Sequence, residues 1–450
     1  MARKFDLVAI GTGSGAASAA ARCRQAGWTV AVVDHLPFGG TCALRGCDPK
    51  KVLVGAAQVT DWARQMKGRG VQFDALGMDW AELMRFKRTF TDPVPASREA
   101  GFRRSGIEPL HGQASFTGPR TLRVGDEEIE ARAVLIATGA WPRRLGIPGE
   151  EHVTLSDQFL DLNSMPRRAV FIGGGYISFE FAHVAARAGA QAVILHRGQR
   201  PLAGFDPDLV ALVLDHTRKM GLDVETETAV EAISQTPSGL EVQASTGGQK
   251  CTFMSDLVVH GAGRAPNVEA LNLAAAGVQM SPAGIQVNEY LQSVSNPAVY
   301  AAGDVAASGG PPLTPVAAYE GGIAAENLLH GNHLKPAYMG IPTVVYTVPP
   351  LAAAGLSEAT ALDRGLKFRV HLEDTTRWYS SRRTAAACSG FKVLIQDQTD
   401  QILGAHLLGP EADELINVFA LAIQMQLPAA RLKSVIFAYP THASDVAYML

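Results

Sequence analysis

A chain of 450 residues is too long for one ordinary hydrophobic core and predicts several domains. Its 47% hydrophobic and 18% charged residues describe a well-buried globular protein and exclude a disordered one. A net charge of −3 gives no basis for a nucleic-acid or anionic-membrane partner, and no apolar run has membrane-spanning length.

The N-terminal residues run straight into a strand pattern without a signal-like apolar stretch, so the expected location is cytoplasmic. Five cysteines are too few and too scattered for a secreted disulfide framework. Cys23, Cys251 and Cys388 have no spaced partner and read as small buried apolar residues.

Phe5–Ile10 is an apolar strand that enters the turn Gly11-Thr12-Gly13-Ser14-Gly15-Ala16. An alanine-rich helix from Ala16 to Ala26 and a strand over Thr29–Val33, ending on Asp34, follow. Strand, glycine-rich turn, helix, strand and acid together form a dinucleotide-binding unit. Gly11 permits the tight turn, Gly13 lets the backbone approach a pyrophosphate, and the helix start favours its negative charge. Asp34 is placed to accept from a ribose hydroxyl.

Next comes Gly39-Gly40-Thr41-Cys42-Ala43-Leu44-Arg45-Gly46-Cys47-Asp48-Pro49-Lys50-Lys51. Two cysteines at this spacing can close a small reducible ring, and nearby lysines and a helix start favour the reactive thiolate. Spacing alone favours two unpaired buried cysteines. The position directly behind a dinucleotide-binding unit is what points to a redox pair.

Ala133–Ala140 is a strand closing on a small-residue turn, and Leu145–Gly149 reads as a linker. A second dinucleotide unit follows: strand Ala169–Ile172, turn Gly173-Gly174-Gly175-Tyr176-Ile177-Ser178, helix Phe179–Ala188 and strand Ala192–Leu195. This strand ends on His196-Arg197-Gly198-Gln199-Arg200 in place of an acid. Positive charge there suits a 2′-phosphate and favours NADPH over NADH; a solvated basic loop is the other reading. Leu257–Asn267 repeats the earlier strand-and-turn pattern and is expected to return the chain to the first domain, where Val299–Asp304 adds a strand ending in Gly-Asp. From about Tyr338 a strand (Thr343–Thr347), a hairpin (Phe391–Ile395 with Ile402–Leu408) and an amphipathic helix (Glu411–Leu427) predict a separate α+β domain.

Taken together the chain resembles the FAD-dependent pyridine nucleotide-disulfide oxidoreductases, such as glutathione reductase, dihydrolipoamide dehydrogenase and mercuric reductase. The matching segments are Gly11-x-Gly13-x-x-Ala16, Gly40-Thr41-Cys42-x4-Cys47-x-Pro49-Lys50, Ala137-Thr138-Gly139, Gly173-x-Gly175-Tyr176, Gly263-Arg264-x-Pro266-Asn267, Ala302-Gly303-Asp304 and Leu313-Thr314-Pro315, in family order along almost the whole chain.

The resemblance implies an α/β fold with two Rossmann-like domains and a C-terminal α+β dimerisation domain. Its divisions are an FAD domain over 1–147, an inserted NAD(P)H domain over 148–268, an FAD-domain return segment over 269–337 and the dimerisation domain over 338–450. It implies a homodimer with a shared active site acting on a small-molecule substrate, and no resident metal. It assigns Cys47 to the flavin side as a thiolate, Cys42 to substrate, Lys50 and Glu180 to an ion pair near the flavin, and Tyr176 to the nicotinamide pocket. By the same resemblance His35, Lys51, Gln113 and Ala114 join the FAD site, and Ile177 the nicotinamide-nucleotide site.

Two departures stand out. Asp48 occupies a position that is apolar in the family; it either raises the Cys47 pKa or, as expected, points to solvent without effect. The C-terminal run Ala438-Tyr439-Pro440-Thr441-His442-Ala443-Ser444-Asp445 has Tyr439 where the family carries its acid–base histidine, and Ser444 where it carries the orienting glutamate. Tyr439, a displaced His442–Asp445 pair, or neither supplies the proton, and Thr441 is also a plausible helix cap. The reading is an NADPH-dependent disulfide reductase of the glutathione reductase type. The alternatives are a metal or electrophile reductase like mercuric reductase, a flavin diaphorase, or a flavin-bound sensing or partner-binding protein.

Overall fold

A computed structural model describes residues 3–450. The chain forms two compact units, and the first comprises the chain up to Lys50, Phe86–Arg143 and Gly263–Tyr338. Here β1 (Arg3–Ile10) buries Leu7, Val8, Ala9 and Ile10 in succession, the pattern of a strand covered on both faces. The helix α1 (Ser14–Gln25) turns Ala16, Ala19, Ala20 and Cys23 inward at helical spacing, which suits close packing of small side chains. β2 (Val30–Asp34) runs parallel to β1, with Leu7–Ile10 opposite Val30–Val33.

β1 also pairs in parallel with Glu127–Ile136, and Val299–Ala301 pairs with the end of that strand. The seven-stranded sheet therefore gathers at one edge the chain segments that leave β1, β2, Glu127–Ile136 and Val299–Ala301. Backbone bonds fasten that edge, from Gly11 to Val33 (2.7 Å), Ala137 to Ile10 (2.9 Å) and Ala302 to Ile136 (3.1 Å). The carboxyl ends of parallel strands are where open α/β sheets bind ligands. The unit's remaining landmark is the start of α2 (Cys47–Met66), whose first residue is the second cysteine of the pair.

The second unit comprises Lys51–Arg85, Arg144–Ala262 and Met339–Leu450. Its four-stranded parallel sheet is built on β3 (Arg168–Ile172), α3 (Tyr176–Arg187) and β4 (Gln191–Leu195), flanked by Asp223–Glu225 and Leu257–His260. A three-stranded antiparallel sheet over Thr228–Ser255 follows, which the sequence pattern did not reveal. Cys251 lies on its last strand only half-buried, its thiol bonded to the Ala244 carbonyl, so the expectation of a buried cysteine is corrected; Cys23 and Cys388 are buried.

The C-terminal segment is a five-stranded antiparallel sheet under the helix Ala412–Gln424. Phe391, Val393 and Ile395 alternate inward against Leu415, Ile416 and Phe419, so period-two and period-3.6 patterns meet in one core. The predicted hairpin pairs Phe391 with Leu407 and Val393 with Ala405. Among the described residues no helix is long and apolar enough to cross a membrane.

Candidate active site

The turn after β1 is held by backbone that only glycine permits. Gly11 has φ +114°, and a Cβ there would lie 2.4 Å from the Ala137 carbonyl oxygen. A Cβ on Gly40 would lie 2.5 Å from Gly13, so the two glycine-rich segments touch backbone to backbone. Gly13 caps α1 without a side chain, so no cap side chain satisfies the N–H groups of Ser14, Gly15 and Ala16, an arrangement suited to an anion.

Asp34 stands at the end of β2 and accepts from the Thr12 N–H (3.1 Å), the Thr12 hydroxyl (2.7 Å) and the Leu36 N–H (3.0 Å). Thr12 in turn accepts from the Gly39 N–H at 3.2 Å. One carboxylate thus ties the glycine turn to the segment that carries the cysteines. Exposed His35 lies 3.9 Å from Asp34. Gln113 and Ala114 enter the strand Ala114–Phe116, and exposed Thr41 follows buried Gly40.

On the neighbouring strand ends, the Thr138 hydroxyl donates to the Asn267 carbonyl (2.6 Å) and the Asn267 N–H to the Gly139 carbonyl (2.9 Å). Arg264, next to Gly263, donates to the Ala140 carbonyl. Asp304 follows Val299–Ala301; burial pushes its carboxyl up, and the Arg264 charge opposes that. Glu320, which no sequence motif marks, is buried and accepts from the Gly303 N–H (2.6 Å) and the Ser308 hydroxyl (2.6 Å). These residues fit the flavin nucleotide that the resemblance implies: a side-chain-free turn, a bare helix start and carboxylates at the strand ends.

Cys42 lies on the short helix Gly40–Arg45 and Cys47 opens α2, both as free thiols. Leu313-Thr314-Pro315 begin the helix Thr314–His330, and the Thr314 hydroxyl is 3.5 Å from Cys47 Sγ. A hydrogen bond from Cys42 holds Cys47 down to about 6; burial opposes it, and the Thr314 hydroxyl and Lys50 charge assist. The same hydrogen bond, with burial, pushes the Cys42 thiol up. The pair is therefore asymmetric, with Cys47 the thiolate and Cys42 the thiol. Asp48 does not merely face solvent: its charge works against the Cys47 thiolate, as the first of the two readings expects. Its Oδ1 is 3.8 Å from Cys42 Sγ, within reach of a thiol hydrogen bond.

The second glycine turn repeats the first. Gly173 has φ +104° with a hypothetical Cβ 2.5 Å from the Gly261 carbonyl, and Gly175 caps α3 without a side chain. Tyr176 stands half-exposed at the start of α3, followed by Ile177. The third-glycine position is buried Ser178, and its hydroxyl sits where a Cβ on Gly261 would be (2.0 Å); the glycine that relieves helix–strand crowding has moved to the partner strand.

His196 Nδ1 accepts from the Gly174 N–H (3.1 Å), so its Nε2 donates to the Arg200 carbonyl (3.2 Å). The ring is neutral, its pKa lowered by burial, and it braces the turn. Positive charge at this strand end rests on Arg197 and Arg200, both exposed.

Glu180 is 1% exposed and accepts from the Tyr346 N–H at 2.9 Å. Lys51 pairs with Asp413 (2.8 Å) and lies over the Tyr346 ring. Lys50, in the first turn of α2, belongs to the other compact unit. Tyr439 is 82% exposed. Thr441 caps the 3-10 turn His442–Asp445, accepting from the Ser444 N–H at 3.2 Å. His442 Nε2 is buried with no hydrogen-bond partner, and burial lowers the imidazole pKa.

The sequence model described as pyridine nucleotide-disulphide oxidoreductase matches residues 5–321, and the family's dimerisation-domain model matches 341–449. A glutathione reductase of Burkholderia cepacia is 34% identical over 98% of this chain and 97% of its own length. A mercuric reductase of Staphylococcus aureus is 31% identical over 98% of this chain and 81% of its own. A dihydrolipoyl dehydrogenase of Bacillus subtilis is 31% identical over 97% of this chain and 93% of its own.

Proposed function

The chain belongs to the pyridine nucleotide-disulphide oxidoreductases, and we propose that within the family it is an NADPH-dependent reductase of a small thiol-disulfide, working through Cys42 and Cys47. The family implies FAD and a nicotinamide nucleotide, and its dimerisation domain supports a homodimer. FAD, when bound, takes the hydride and delivers two electrons to the cysteine pair.

The observation that carries the reading is the asymmetry of that pair. Cys47, at the first turn of α2 with a hydroxyl and a lysine nearby, holds the thiolate and Cys42 holds the proton. Cys47 is the more exposed of the two, and Cys42 is assigned to substrate by the family pattern. A reduced pair with one thiolate and one thiol is the starting state of thiol–disulfide exchange. Gly11, Gly13, Asp34, Gly139, Asp304 and Thr314 hold the flavin nucleotide, and Gly173, Gly175, Tyr176, Arg197 and Arg200 hold NADPH. The proposed divisions are the FAD domain at 1–147 with its return at 269–337, the NADPH domain at 148–268 and the dimerisation domain from 338.

The end of β4 carries two exposed arginines in place of the usual acid, with Glu227 bonded to Gln199 beside them, and the arginines support NADPH over NADH. A panel of disulfides and Hg(II) with NADPH, run on wild type and Cys42→Ser, tests the proposal. Disulfide turnover that disappears with Cys42→Ser supports it. Turnover confined to Hg(II), quinones or oxygen and unaffected by the substitution replaces it with a metal reductase or diaphorase.

A further inference from the structure

We propose that Asp48 is the acid–base group of the exchange reaction, taking the proton of the Cys42 thiol as that sulfur attacks and returning it to the thiolate that leaves. The inference rests on Cys42 being the cysteine that meets substrate. Asp48 Oδ1 is 3.8 Å from Cys42 Sγ, in the acceptor position of a thiol hydrogen bond. Asp48 is exposed and sits in the first turn of a 20-residue helix, where the helix field favours a carboxylate.

The groups facing Cys42 are Cys47 and Asp48 on α2 and Thr314 on the helix Thr314–His330; Lys50 adds its charge at Cys47. Two of these groups can accept from Cys42, the Cys47 thiolate and the Asp48 carboxylate; Cys47 is consumed as the second nucleophile, which leaves Asp48 to carry the proton to the leaving thiolate. The histidine nearest in sequence to the family's acid–base position, His442, has its Nε2 buried and unpartnered, so that nitrogen is sealed from a substrate.

The step balances without an added oxidant. Cys42 sulfur attacks one sulfur of the substrate, its S–H proton passes to Asp48, the substrate S–S bond breaks, and a Cys42–substrate disulfide and a free thiolate form. The protonated Asp48 then donates to that thiolate, a carboxylic acid being a stronger acid than an ordinary thiol, whose pKa is about 8.5. Cys47 thiolate next attacks Cys42 sulfur, restoring the Cys42–Cys47 disulfide and releasing the second substrate thiolate, which takes its proton from water.

The test is reoxidation of the anaerobically reduced holoenzyme by bis(2-hydroxyethyl) disulfide in a single turnover, followed by flavin absorbance between about pH 6.5 and 8. In wild type the Cys42 proton leaves as the sulfur attacks, with no prior ionisation needed, so the rate changes by less than about threefold. In Asp48→Asn attack requires free Cys42 thiolate, so the rate climbs about tenfold per pH unit and is at least about tenfold below wild type at pH 6.5. Asp48→Glu keeps the flat profile. Parallel profiles for wild type and Asp48→Asn would overturn the assignment of Asp48. Cys42→Ser that reoxidises as fast as wild type would instead overturn the role of Cys42 itself.

Discussion

The Thr314 hydroxyl lies 3.5 Å from Cys47 Sγ, where the start of one helix meets the first residue of another. That hydroxyl supports the thiolate after the Cys42 hydrogen bond, so removing it raises Cys47 from about 6. Thr314→Val is predicted to move the midpoint of thiolate formation up by about half to one pH unit. The thiolate population at neutral pH then falls. Ultraviolet thiolate absorbance of the reduced protein against pH measures it, and an unchanged midpoint contradicts the assignment.

Arg197 and Arg200 are the cationic groups at the end of β4 once His196 is neutral and committed to Gly174 and Arg200, and Glu227 is held by Gln199 beside them. Replacing both arginines by alanine is predicted to raise KM for NADPH by about tenfold or more and to leave KM for NADH within about twofold. Equal effects on the two nucleotides would show that the arginines do not read the 2′-phosphate.

Stability is expected to depend on a buried pair far more than on exposed ones. Arg187 is 2% exposed and donates to Asp61 (2.7 and 3.1 Å), the Val348 carbonyl (3.0 Å) and the His183 carbonyl (3.2 Å). Arg187→Ala leaves Asp61 without its cation, held only by the Gln65 amide (2.6 Å), and is predicted to cost about 3 kcal/mol in denaturant unfolding. Lys219→Ala, which breaks an exposed pair with Asp215, is predicted to leave the denaturant midpoint essentially unchanged.

Tyr439 separates the two accounts of the proton. If Asp48 carries it, Tyr439→Phe keeps disulfide turnover at neutral pH within about threefold of wild type. A loss of about a hundredfold, with the bell-shaped pH profile altered, would give the proton to the phenol.

What was legible in the sequence had local causes. Gly11 and Gly173 signal backbone conformations that few other residues adopt, and their turns sit as read, between parallel strands and helix starts. The cysteine pair was legible from spacing and context. The Asp48 contact was not, because its direction depends on α2 beginning at Cys47 and on the turn of Gly40–Arg45 bringing Cys42 back over it. Ser178 looked like a defect in the second glycine turn until Gly261, distant in sequence, proved to be the residue that makes room. Lys392 shows the same limit: it lies in an apolar strand pattern, 2% exposed, and is neutralised by Asp206, Asp208 and Glu358 from remote segments. Pairings of this kind leave no periodic trace.

The central claim is that electrons from NADPH reach Cys42 and Cys47. Alkylation by iodoacetamide before and after anaerobic addition of one equivalent of NADPH, with the modified residues located by peptide mass mapping, tests it most directly. The account predicts that Cys42 and Cys47 of the air-oxidised holoenzyme resist alkylation and that both become labelled after NADPH. Identical labelling of the two cysteines before and after NADPH would contradict it.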